Sequence, residues 1–297
     1  MGFLDERANL DGKHALVMGG GGGLGRAAVV DLARAGVKVS FCDRDEKALW
    51  ATEQEAAMLG GAPVAVPVDV RDADAVMAFL DHVDDARGNS EVHILVNVVG
   101  GTFRSQFAES VPNGWDAIIR ANFTWLLHTT HAVIPRLRAA GGGSIINVTS
   151  IEGHRAAPGF AVYSGMKAAV TNYSRTLALE LALEGIRVNT IAPDNIPTDN
   201  LDVMTPSRSG SSDHDRQVHQ ILDEIARPLG RLGTLEDFGN TVLYLASDLS
   251  SYMTGVSLHP DGGVTASAGW LNWPAHGYLN GAPTWVAESI LDHGGGE

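Results

Sequence analysis

Tyr163 and Lys167 are the pair whose residue types and spacing point most directly to chemistry. They stand four positions apart in a segment of helix-forming, amphipathic sequence over residues 163–183, so they share one helix face. An isolated phenol has a pKa near ~10 and is a poor acid or base at neutral pH. A cation about 4 Å away, in an effective dielectric constant of about 20, contributes roughly 4 kcal/mol, or about three pKa units. The spacing therefore predicts that Tyr163 exchanges protons and that Lys167 lowers its pKa.

Ser150 lies thirteen residues before Tyr163, just after a predicted strand, where its hydroxyl could hydrogen-bond a substrate oxygen. Each of these residues also has an ordinary structural interpretation: a core tyrosine, a surface lysine, and a serine in a turn or helix cap. Asn122, in the middle of a predicted helix, could likewise be a polar residue satisfied by backbone groups. An active site is favoured because these residues occur together behind a dinucleotide-binding pattern.

A glycine-rich turn between a predicted strand and a predicted helix indicates a nucleotide site. Residues 15–25 read Ala-Leu-Val-Met-Gly-Gly-Gly-Gly-Gly-Leu-Gly. Glycine lets the backbone approach a pyrophosphate, which then lies at the N-terminus of the helix. Five consecutive glycines fit more than one dinucleotide-binding spacing, so the spacing alone is weak and a flexible turn is the alternative. The predicted cofactor-binding residues of this turn are Gly19, Gly22, Gly23, Leu24 and Gly25.

Asp43 ends the second predicted strand, 18 residues after Gly25, where a carboxylate can accept hydrogen bonds from the adenosine ribose. The same carboxylate would repel the 2′-phosphate of NADP, so the sequence favours NAD. Arg44 is a counter-indication, because its guanidinium could pair with that phosphate if it turned inward. Asp69, which closes the third predicted strand, either accepts from the adenine amino group or caps the helix that follows.

Short β-branched runs alternate with longer helical patterns along the chain. The predicted strands are residues 14–18, 37–41, 64–68, 94–98, 144–148, 187–191 and 256–258. The predicted helices are residues 24–35, 47–59, 73–86, 115–138, 163–183 and 235–246. This alternation predicts an α/β fold: a single doubly wound, Rossmann-like domain over residues 1–265 with a seven-stranded parallel sheet.

Taken together, these motifs resemble the short-chain dehydrogenase/reductase family over about residues 10–265. The resemblance is carried by the glycine turn, Asp43, Asp69-Val70, Asn97-Val-Val-Gly100, Asn122, Ser150, Tyr163-x-x-x-Lys167 and the segment from Pro193 to Thr198. It implies hydride transfer at a nicotinamide ring, with Tyr163 exchanging the proton and Ser150 hydrogen-bonding the substrate oxygen. It also implies that Lys167 holds the ribose and that Asn122 anchors a water joining Lys167 to solvent.

The resemblance extends the expected cofactor site beyond the glycine turn. The residues expected there are Asp43, Arg44, Asp69, Val70, Asn97, Tyr163, Lys167, Pro193, Ile196 and Thr198. It further implies a homo-oligomer, commonly a tetramer, in which the helices beginning near Trp115 and Tyr163 pack across a two-fold interface.

The chain departs from the family pattern at three places. Met18 stands where a threonine is usual, and Val98 and Val99 replace a second asparagine and a small residue. Asp194 replaces the glycine of a proline-glycine pair after the sixth strand. Aspartate tolerates unusual backbone angles better than most residues, so the turn is expected to survive, with a carboxylate near the nicotinamide that could alter substrate choice.

Two segments fall outside the strand and helix alternation. Residues 199–227 form a polar insert, predicted to be a substrate lid with a loop over 205–215 and a helix after it. Residues 266–297 form an aromatic C-terminal extension, not a separate domain, with three of the six tryptophans. Exposure of that much aromatic surface is unfavourable, so the extension is predicted to be buried in the assembly, covering the active-site mouth of its own or a neighbouring subunit. Packing on an outer helix is the alternative.

The expected substrate is a bulky, mainly apolar secondary alcohol or ketone, such as a steroid-like or cyclic compound. The residues expected around it are Phe103, Phe107, residues 151–155, Leu201 and Met204. His154 and Arg155 either recognise a carboxylate or the phosphates of a thioester, or lie on the rim. Two other functions stay open: a 3-oxoacyl-thioester reductase, which residues 230–237 and 261–263 also resemble, and a non-catalytic dinucleotide-binding regulator.

Charge and composition exclude several other classes of protein. With 35 acidic and 21 basic residues, the net charge of −14 gives no attraction to nucleic acid or to an anionic membrane surface. Cys42, the single cysteine, excludes an intrachain disulfide or a cysteine zinc site, and no metal site is predicted. The polar N-terminus and the lack of an apolar run near ~18 residues predict a cytoplasmic protein without membrane segments.

Overall fold

The computed structural model describes residues 2–60, 62–198 and 212–293. Its principal sheet has seven strands within the described residues, as predicted. The strands are β1 His14–Met18, β2 Lys38–Asp43, β3 Val64–Pro67, β4 Ile94–Asn97, β5 Gly143–Val148, β6 Ile186–Ile191 and β7 Ser257–Leu258. Their order is β3-β2-β1-β4-β5-β6-β7, and every neighbouring pair is parallel. The reversal of strand order between β1 and β4 opens a crevice at the carboxyl ends of the strands.

Helices cover both faces of this sheet. They are α1 Phe3–Ala8, α2 Gly23–Arg34, α3 Glu46–Met58, α4 Ala73–Arg87, α5 Pro112–Ile119, α6 Trp125–Ala139, α7 Ala161–Leu181, α8 Asp213–Ala226, α9 Leu235–Ala246, α10 Val264–Ser267 and α11 Thr284–His293. None of the helices that the structure describes combines the length and the apolar character needed to cross a bilayer.

Alternate side chains of each central strand enter different hydrophobic layers. Ala15 and Val17 of β1 pack in the layer that includes α2 and α9. Leu16 and Met18 of the same strand pack in the opposite layer, with α4, α6 and α7. This division follows from the period of two along a strand and gives the doubly wound architecture that the sequence predicts.

The long helix predicted over residues 115–138 is interrupted. Helix α5 passes at Arg120–Thr124 into a π-helical turn before α6 begins at Trp125. A π turn widens the backbone by one residue and frees a carbonyl from the regular pattern. Asn122 lies within this turn and uses such a carbonyl, as described below.

The C-terminal extension has secondary structure that the sequence analysis did not predict. Strands β8 Trp270–Trp273 and β9 Gly277–Asn280 form an antiparallel hairpin. Helix α11 follows, and the ring of Trp285 meets that of Trp273 edge-on at 5.8 Å between centroids. Strand β8 packs against α8, the helix of the predicted lid. Trp270 and Trp285 remain 49% and 46% exposed on the single chain, so the predicted burial of the tryptophans is only partial within one subunit.

The predicted lid falls only partly within the described residues. Its helix is present as α8, and it begins at Asp213, so residues 213–215 are helical where a loop was predicted. Residues 199–211, including Leu201 and Met204, lie outside the described residues.

Candidate active site

The predicted catalytic residues meet at the carboxyl edge of the sheet. Ser150 follows β5 and caps a short 3-10 turn, with its Oγ accepting a hydrogen bond from the Glu152 N–H at 3.2 Å. Tyr163 lies in the first turn of α7, and its hydroxyl is hydrogen-bonded to Ser150. Lys167 follows one turn later on the same helix face. Parallel strands end at one edge of a sheet, and this is why residues far apart in sequence come together here.

Lys167 is deeply buried beneath the site. Only 3% of its surface is exposed, and its Nζ donates a hydrogen bond to the Val148 carbonyl at 3.0 Å. Burial lowers the pKa of its ammonium group to about 8, because a charge is costly away from water. Its Nζ lies 5.7 Å from the centroid of the Tyr163 ring.

Asn122 is held rigidly beside this lysine. Its Nδ2 donates to the carbonyls of Gly101, at 2.7 Å, and Ile118, at 2.9 Å, the latter being a carbonyl four residues earlier in the helix. Its Oδ1 accepts from the Gly101 N–H at 3.2 Å. A Cβ atom placed on Gly100 would lie 2.9 Å from both Asn122 Oδ1 and Lys167 Nζ, so the two polar groups approach the same point. Asn122 therefore lies beside Lys167, with its side chain hydrogen-bonded to backbone groups.

The pKa of Tyr163 corrects one expectation. Burial raises it, the hydrogen bond with Ser150 lowers it, and the charge of Glu152 raises it further, with a net shift upward. The lowered pKa that the Lys167 spacing predicts is wrong for this structure. Spacing along a helix reports proximity, but it does not report desolvation, which acts in the opposite direction.

The glycine turn after β1 is packed too tightly for side chains. A Cβ on Gly25 would lie 1.7 Å from the Gly19 carbonyl oxygen, and Gly19 itself has a φ of 91°. Gly22 caps the N-terminus of α2 with an extended backbone. The flexible turn that the glycines alone would allow is instead a defined strand–turn–helix, as an anion site at a helix N-terminus requires. Leu24 packs against the core beneath the turn.

Asp43 reaches this turn from the end of β2. Its Oδ2 accepts from the Gly21 N–H at 2.9 Å, and its Oδ1 accepts from the Asp45 N–H at 3.1 Å. The carboxylate therefore lies against the glycine turn, where the ribose is expected. Arg44 is exposed beside it.

Asp69 has a partner that the sequence analysis did not anticipate. Its carboxylate is bound in a fork by the Arg71 guanidinium, with Arg71 Nε at 2.9 and 3.0 Å from its two oxygens. This pairing holds the pKa of Asp69 at about 2. The N-cap of α4 is Asp72, so the helix-cap interpretation of Asp69 is wrong. Val70 is buried next to Asp69.

Asn97 ends β4, but its side chain points into the protein. Its Nδ2 donates to Asn147 Oδ1 at 2.8 Å, and only 1% of the residue is exposed. Asn147 in turn donates to Ser174 Oγ at 2.8 Å. The amide of Asn97 therefore ties β4 to β5 and α7. Any contact it makes with a cofactor is through its backbone.

The segment after β6 joins the two halves of the site. The Pro193 carbonyl accepts a hydrogen bond from the Ile151 N–H at 3.1 Å, directly beside Ser150. At its other end, a Cβ on Gly23 would lie 3.0 Å from Thr198 Cγ2, so Thr198 contacts the glycine turn. Ile196 is buried between these ends. Asp194 does not present a free carboxylate, because it is paired with Arg227 at 2.8 Å.

A small aromatic cavity lies next to Tyr163. Phe103 and Phe107 line it, together with Trp115, whose ring stacks on that of Phe107 at 5.3 Å. The sequence analysis placed Trp115 only at the start of an interface helix. Gly100, which lies beside Asn122 and Lys167, and Arg227, which pairs with Asp194, were not among the predicted site residues. Asn97-x-x-Gly100 was a recognisable signal for the glycine, whereas nothing near Arg227 in sequence indicates its partner.

Within the described ranges, no group of three or more histidine, cysteine or acidic side chains is placed to hold a metal ion. His154 lies beside His259, with 4.5 Å between ring centroids, and Arg155 pairs with Glu152 at 2.8 Å. Both residues are therefore engaged by protein groups at the rim of the site.

Known proteins with similar sequence and structure agree with this geometry. A family model described as enoyl-(acyl carrier protein) reductase matches residues 20–265. The 3-oxoacyl-(acyl-carrier-protein) reductase FabG of Haemophilus influenzae is 33% identical over 258 residues, which cover 87% of this chain and 100% of the relative. Nodulation protein G of Azospirillum brasilense is 36% identical over 255 residues, covering 85% of this chain and 98% of the relative.

Among solved structures, a 7α-hydroxysteroid dehydrogenase complexed with NADH and 7-oxo glycochenodeoxycholic acid matches with a TM-score of 0.79 and 29% identity. The match covers 89% of this chain and 98% of that structure. Because the relatives align over nearly their whole length and the family model spans most of the chain, the chain belongs to the short-chain dehydrogenase/reductase family of oxidoreductases.

Proposed function

We propose that the protein interconverts a secondary alcohol and a ketone with NAD(H) as the hydride carrier, on a bulky and mainly apolar substrate. The observation that carries the proposal is the Tyr163 hydroxyl, hydrogen-bonded to Ser150 and one helical turn from the buried Lys167. This arrangement places a proton donor, a second hydroxyl and a cation at the carboxyl edge of the sheet, where a dinucleotide-binding fold binds its ligand.

The residues present fit a dinucleotide cofactor. The glycine turn excludes side chains, since a Cβ on Gly21 would lie 2.8 Å from Asp43 Cβ and one on Gly25 would meet the Gly19 carbonyl. Such a turn exposes backbone N–H groups at the start of α2, where a pyrophosphate would be held. Asp43 would hold the adenosine ribose, and Pro193, Ile196 and Thr198 would hold the nicotinamide end. When bound, the nicotinamide supplies or accepts the hydride.

The chain's own residues would handle the proton. In ketone reduction the Tyr163 phenol donates its proton to the substrate oxygen, and in alcohol oxidation the phenolate accepts one. The raised pKa of Tyr163 keeps the phenol protonated at neutral pH, the form required for reduction. The Ser150 hydroxyl steadies the same oxygen, and Lys167, anchored on the Val148 carbonyl, places positive charge nearby. Asn122, fixed by three hydrogen bonds, would hold a water between Lys167 and solvent.

The preference for NAD over NADP is proposed from Asp43. Its carboxylate accepts the Gly21 N–H at 2.9 Å, so a 2′-phosphate at the ribose would meet a fixed negative charge. Arg44, the next residue, is exposed and is the counter-indication, because its guanidinium could pair with that phosphate if it turned inward. The structural neighbour solved with NADH supports the same choice.

The apolar substrate class is proposed from the side chains beside Tyr163. Phe103, Phe107 and Trp115 place aromatic surface there, which matches an apolar and cyclic substrate in character. The neighbour that carries a steroid ligand supports a steroid-like substrate. A second candidate is reduction of a 3-oxoacyl thioester, which is supported by the names of several relatives. We also propose a homotetramer, and light scattering of the full chain measures its mass.

A cofactor and substrate screen tests the proposed function. The assay follows the absorbance of the reduced nicotinamide with wild-type protein. Oxidation of steroidal and cyclic alcohols is measured with NAD and with NADP, and reduction of a 3-oxoacyl thioester is measured with NADH and with NADPH. The proposal expects turnover with NAD and an apolar cyclic alcohol. Faster turnover of the thioester with NADPH would favour the second candidate. Cofactor binding without turnover of any alcohol, ketone or thioester would favour a non-catalytic regulator.

A further inference from the structure

Asp194 and Arg227 form a buried ion pair between the segment after β6 and the end of α8. Arg227 Nε donates to Asp194 Oδ2 at 2.8 Å, and its Nη1 donates to Asp223 Oδ1 at 2.7 Å. The side chains of Arg227, Asp194 and Asp223 are 9%, 10% and 14% exposed. One guanidinium therefore joins two carboxylates in a region that water barely reaches.

The arginine is the fixed partner in this array. Its carbonyl accepts the Gly230 N–H at 2.8 Å, and the following segment is tied to the loop after β7 because the Leu229 N–H donates to the Gly262 carbonyl at 3.0 Å. Asp223 lies one turn earlier in α8, and α8 packs against β8. Arg227 is thus braced from the helix side, and Asp194 is the group that it holds.

Asp194 stands at the centre of the turn that links the two halves of the active site. Pro193, immediately before it, accepts the Ile151 N–H beside Ser150. Four residues later, Thr198 contacts Gly23 of the glycine turn. A shift of Asp194 would therefore be transmitted to both the catalytic loop and the cofactor turn.

Charge explains why the arginine matters at this position. A buried carboxylate without a partner is strongly unfavourable and would turn toward water, carrying its backbone with it. Arg155 also feels the charge of Asp194, but its own hydrogen bond is to Glu152. Arg227 is therefore the group that keeps Asp194, and with it the turn, in the inward position.

We propose that Arg227 is a positioning residue, which acts through Asp194 to fix residues 193–198 for binding the nicotinamide end of the cofactor. Its effect on turnover rests on the proposed function, whereas its effect on cofactor binding rests only on family membership. Asp194 stands where the family pattern has a glycine in a tight proline-glycine turn. The Asp194–Arg227 ion pair compensates for this difference, because it holds the backbone of the turn in place.

The test compares Arg227→Met, Arg227→Lys, Asp194→Gly and the double variant Asp194→Gly/Arg227→Met in the full chain. Arg231→Met is the matched control, because Arg231 lies four residues after Arg227 and forms an exposed ion pair with Asp237. The measurements are NADH affinity by fluorescence titration, amide hydrogen exchange of residues 194–198 and of β5, and melting temperature.

Arg227→Met should weaken NADH binding about tenfold or more, the scale of a misplaced binding group, and accelerate exchange in 194–198 while β5 exchange stays slow. Arg227→Lys should restore part of the affinity because it keeps the charge. The double variant should bind NADH better than Arg227→Met alone, since no buried carboxylate is left unpaired. Arg231→Met should match the wild type.

NADH affinity of Arg227→Met within about threefold of wild type, with unchanged exchange in the turn, would overturn the proposal. The proposal would also be overturned if Arg227→Met and the double variant lost the same NADH affinity and if amide exchange became faster in β5 as well as in residues 194–198. That pattern would mean that the whole protein is destabilised. If Arg227→Met does not fold, Asp194→Gly decides: unchanged NADH affinity and turn exchange in that variant contradict the inference. A wild type that binds NADH but turns over no substrate counts against the proposed function only.

Discussion

Replacing Gly100 with alanine should damage the active site without disturbing the fold. The residue has no positive φ, so its backbone accepts a side chain. The added Cβ, however, would lie 2.9 Å from Asn122 Oδ1 and 2.9 Å from Lys167 Nζ. Carbon normally approaches such atoms no closer than about 3.5 Å, so both contacts must open by roughly half an ångström or more.

Lys167 is the group that should move further. Asn122 is held by three hydrogen bonds to Gly101 and Ile118, whereas the lysine ammonium lies at the end of a flexible side chain and donates to the Val148 carbonyl. A misplacement of about 1 Å near reacting groups can lower the rate about 100-fold, so a shift of half that size predicts a kcat loss of about 10- to 100-fold. The melting temperature should stay near that of wild type, because alanine also restricts the unfolded chain.

Gly101→Ala is the matched control for this variant. A Cβ on Gly101 meets no atom within 4 Å, and its backbone bonds to Asn122 are kept. Steady-state kinetics with saturating cofactor should separate the two variants, with Gly101→Ala close to wild type. If Gly100→Ala retained a kcat within about twofold of Gly101→Ala, the inferred proximity of Asn122 and Lys167 would have no part in catalysis.

Three further predictions concern the cofactor, the C-terminal extension and pH. Asp43→Ala should weaken NAD and relatively favour NADP in paired kcat/KM measurements, and a wild type that already prefers NADP would refute the cofactor choice. Truncation after Ser267 should leave a folded, cofactor-binding protein with raised KM or reduced oligomer mass, and unchanged kinetics and light scattering would reject a lid or interface role for residues 268–297. Burial lowers the pKa of His14 from 6.5 to about 4. As pH falls from 6.5 toward 4, the histidine is therefore protonated in the unfolded chain but stays neutral in the folded one. This difference favours unfolding, so the folded protein loses stability over that pH range. Urea unfolding should show a loss of about 2 kcal/mol between pH 7 and pH 5 that is smaller in His14→Gln, and equal losses in both proteins would contradict this assignment.

The fold was predictable because local patterns and tertiary packing agree. The β-branched runs at β1, β4 and β5 are short and continuous, as strands covered on both faces require. The helical interpretation of residues 115–138 missed the π turn at Asn122, since the apolar period passes through that turn without interruption. The β8-β9 hairpin was missed because its strands are only four residues each, although Pro274 and Gly277 mark the turn between them.

The site residues also fall into two groups: those marked by local sequence features were predicted, and those brought together only by the fold were not. Ser150, Tyr163 and Lys167 were found because their spacing and their position after a strand or in a helix are local features. The Asp194–Arg227 pair joins residues 33 positions apart, and neither has a sequence neighbour that marks the other. Asn97 was expected in the cofactor site; its side chain faces Asn147, and only the three-dimensional register of β4 with β5 reveals this.

The sign of the Tyr163 pKa shift depends on burial in the folded protein. The sequence supplies the nearby lysine, but the net effect requires knowing how far the phenol is removed from water. For the same reason Lys167, expected simply as a cation, has a pKa lowered to about 8 in this structure.

The most direct measurement of the central claim is the kinetic comparison of wild type with Tyr163→Phe, with NADH affinity determined on the same preparations. The substitution keeps the ring, the helix and the neighbouring Lys167, and it removes only the hydroxyl that is hydrogen-bonded to Ser150. Loss of a general acid or base lowers a rate by about 100-fold or more, so kcat should fall by at least that factor while NADH affinity stays nearly constant. A Tyr163→Phe protein that turns over substrate at close to the wild-type rate would contradict the account.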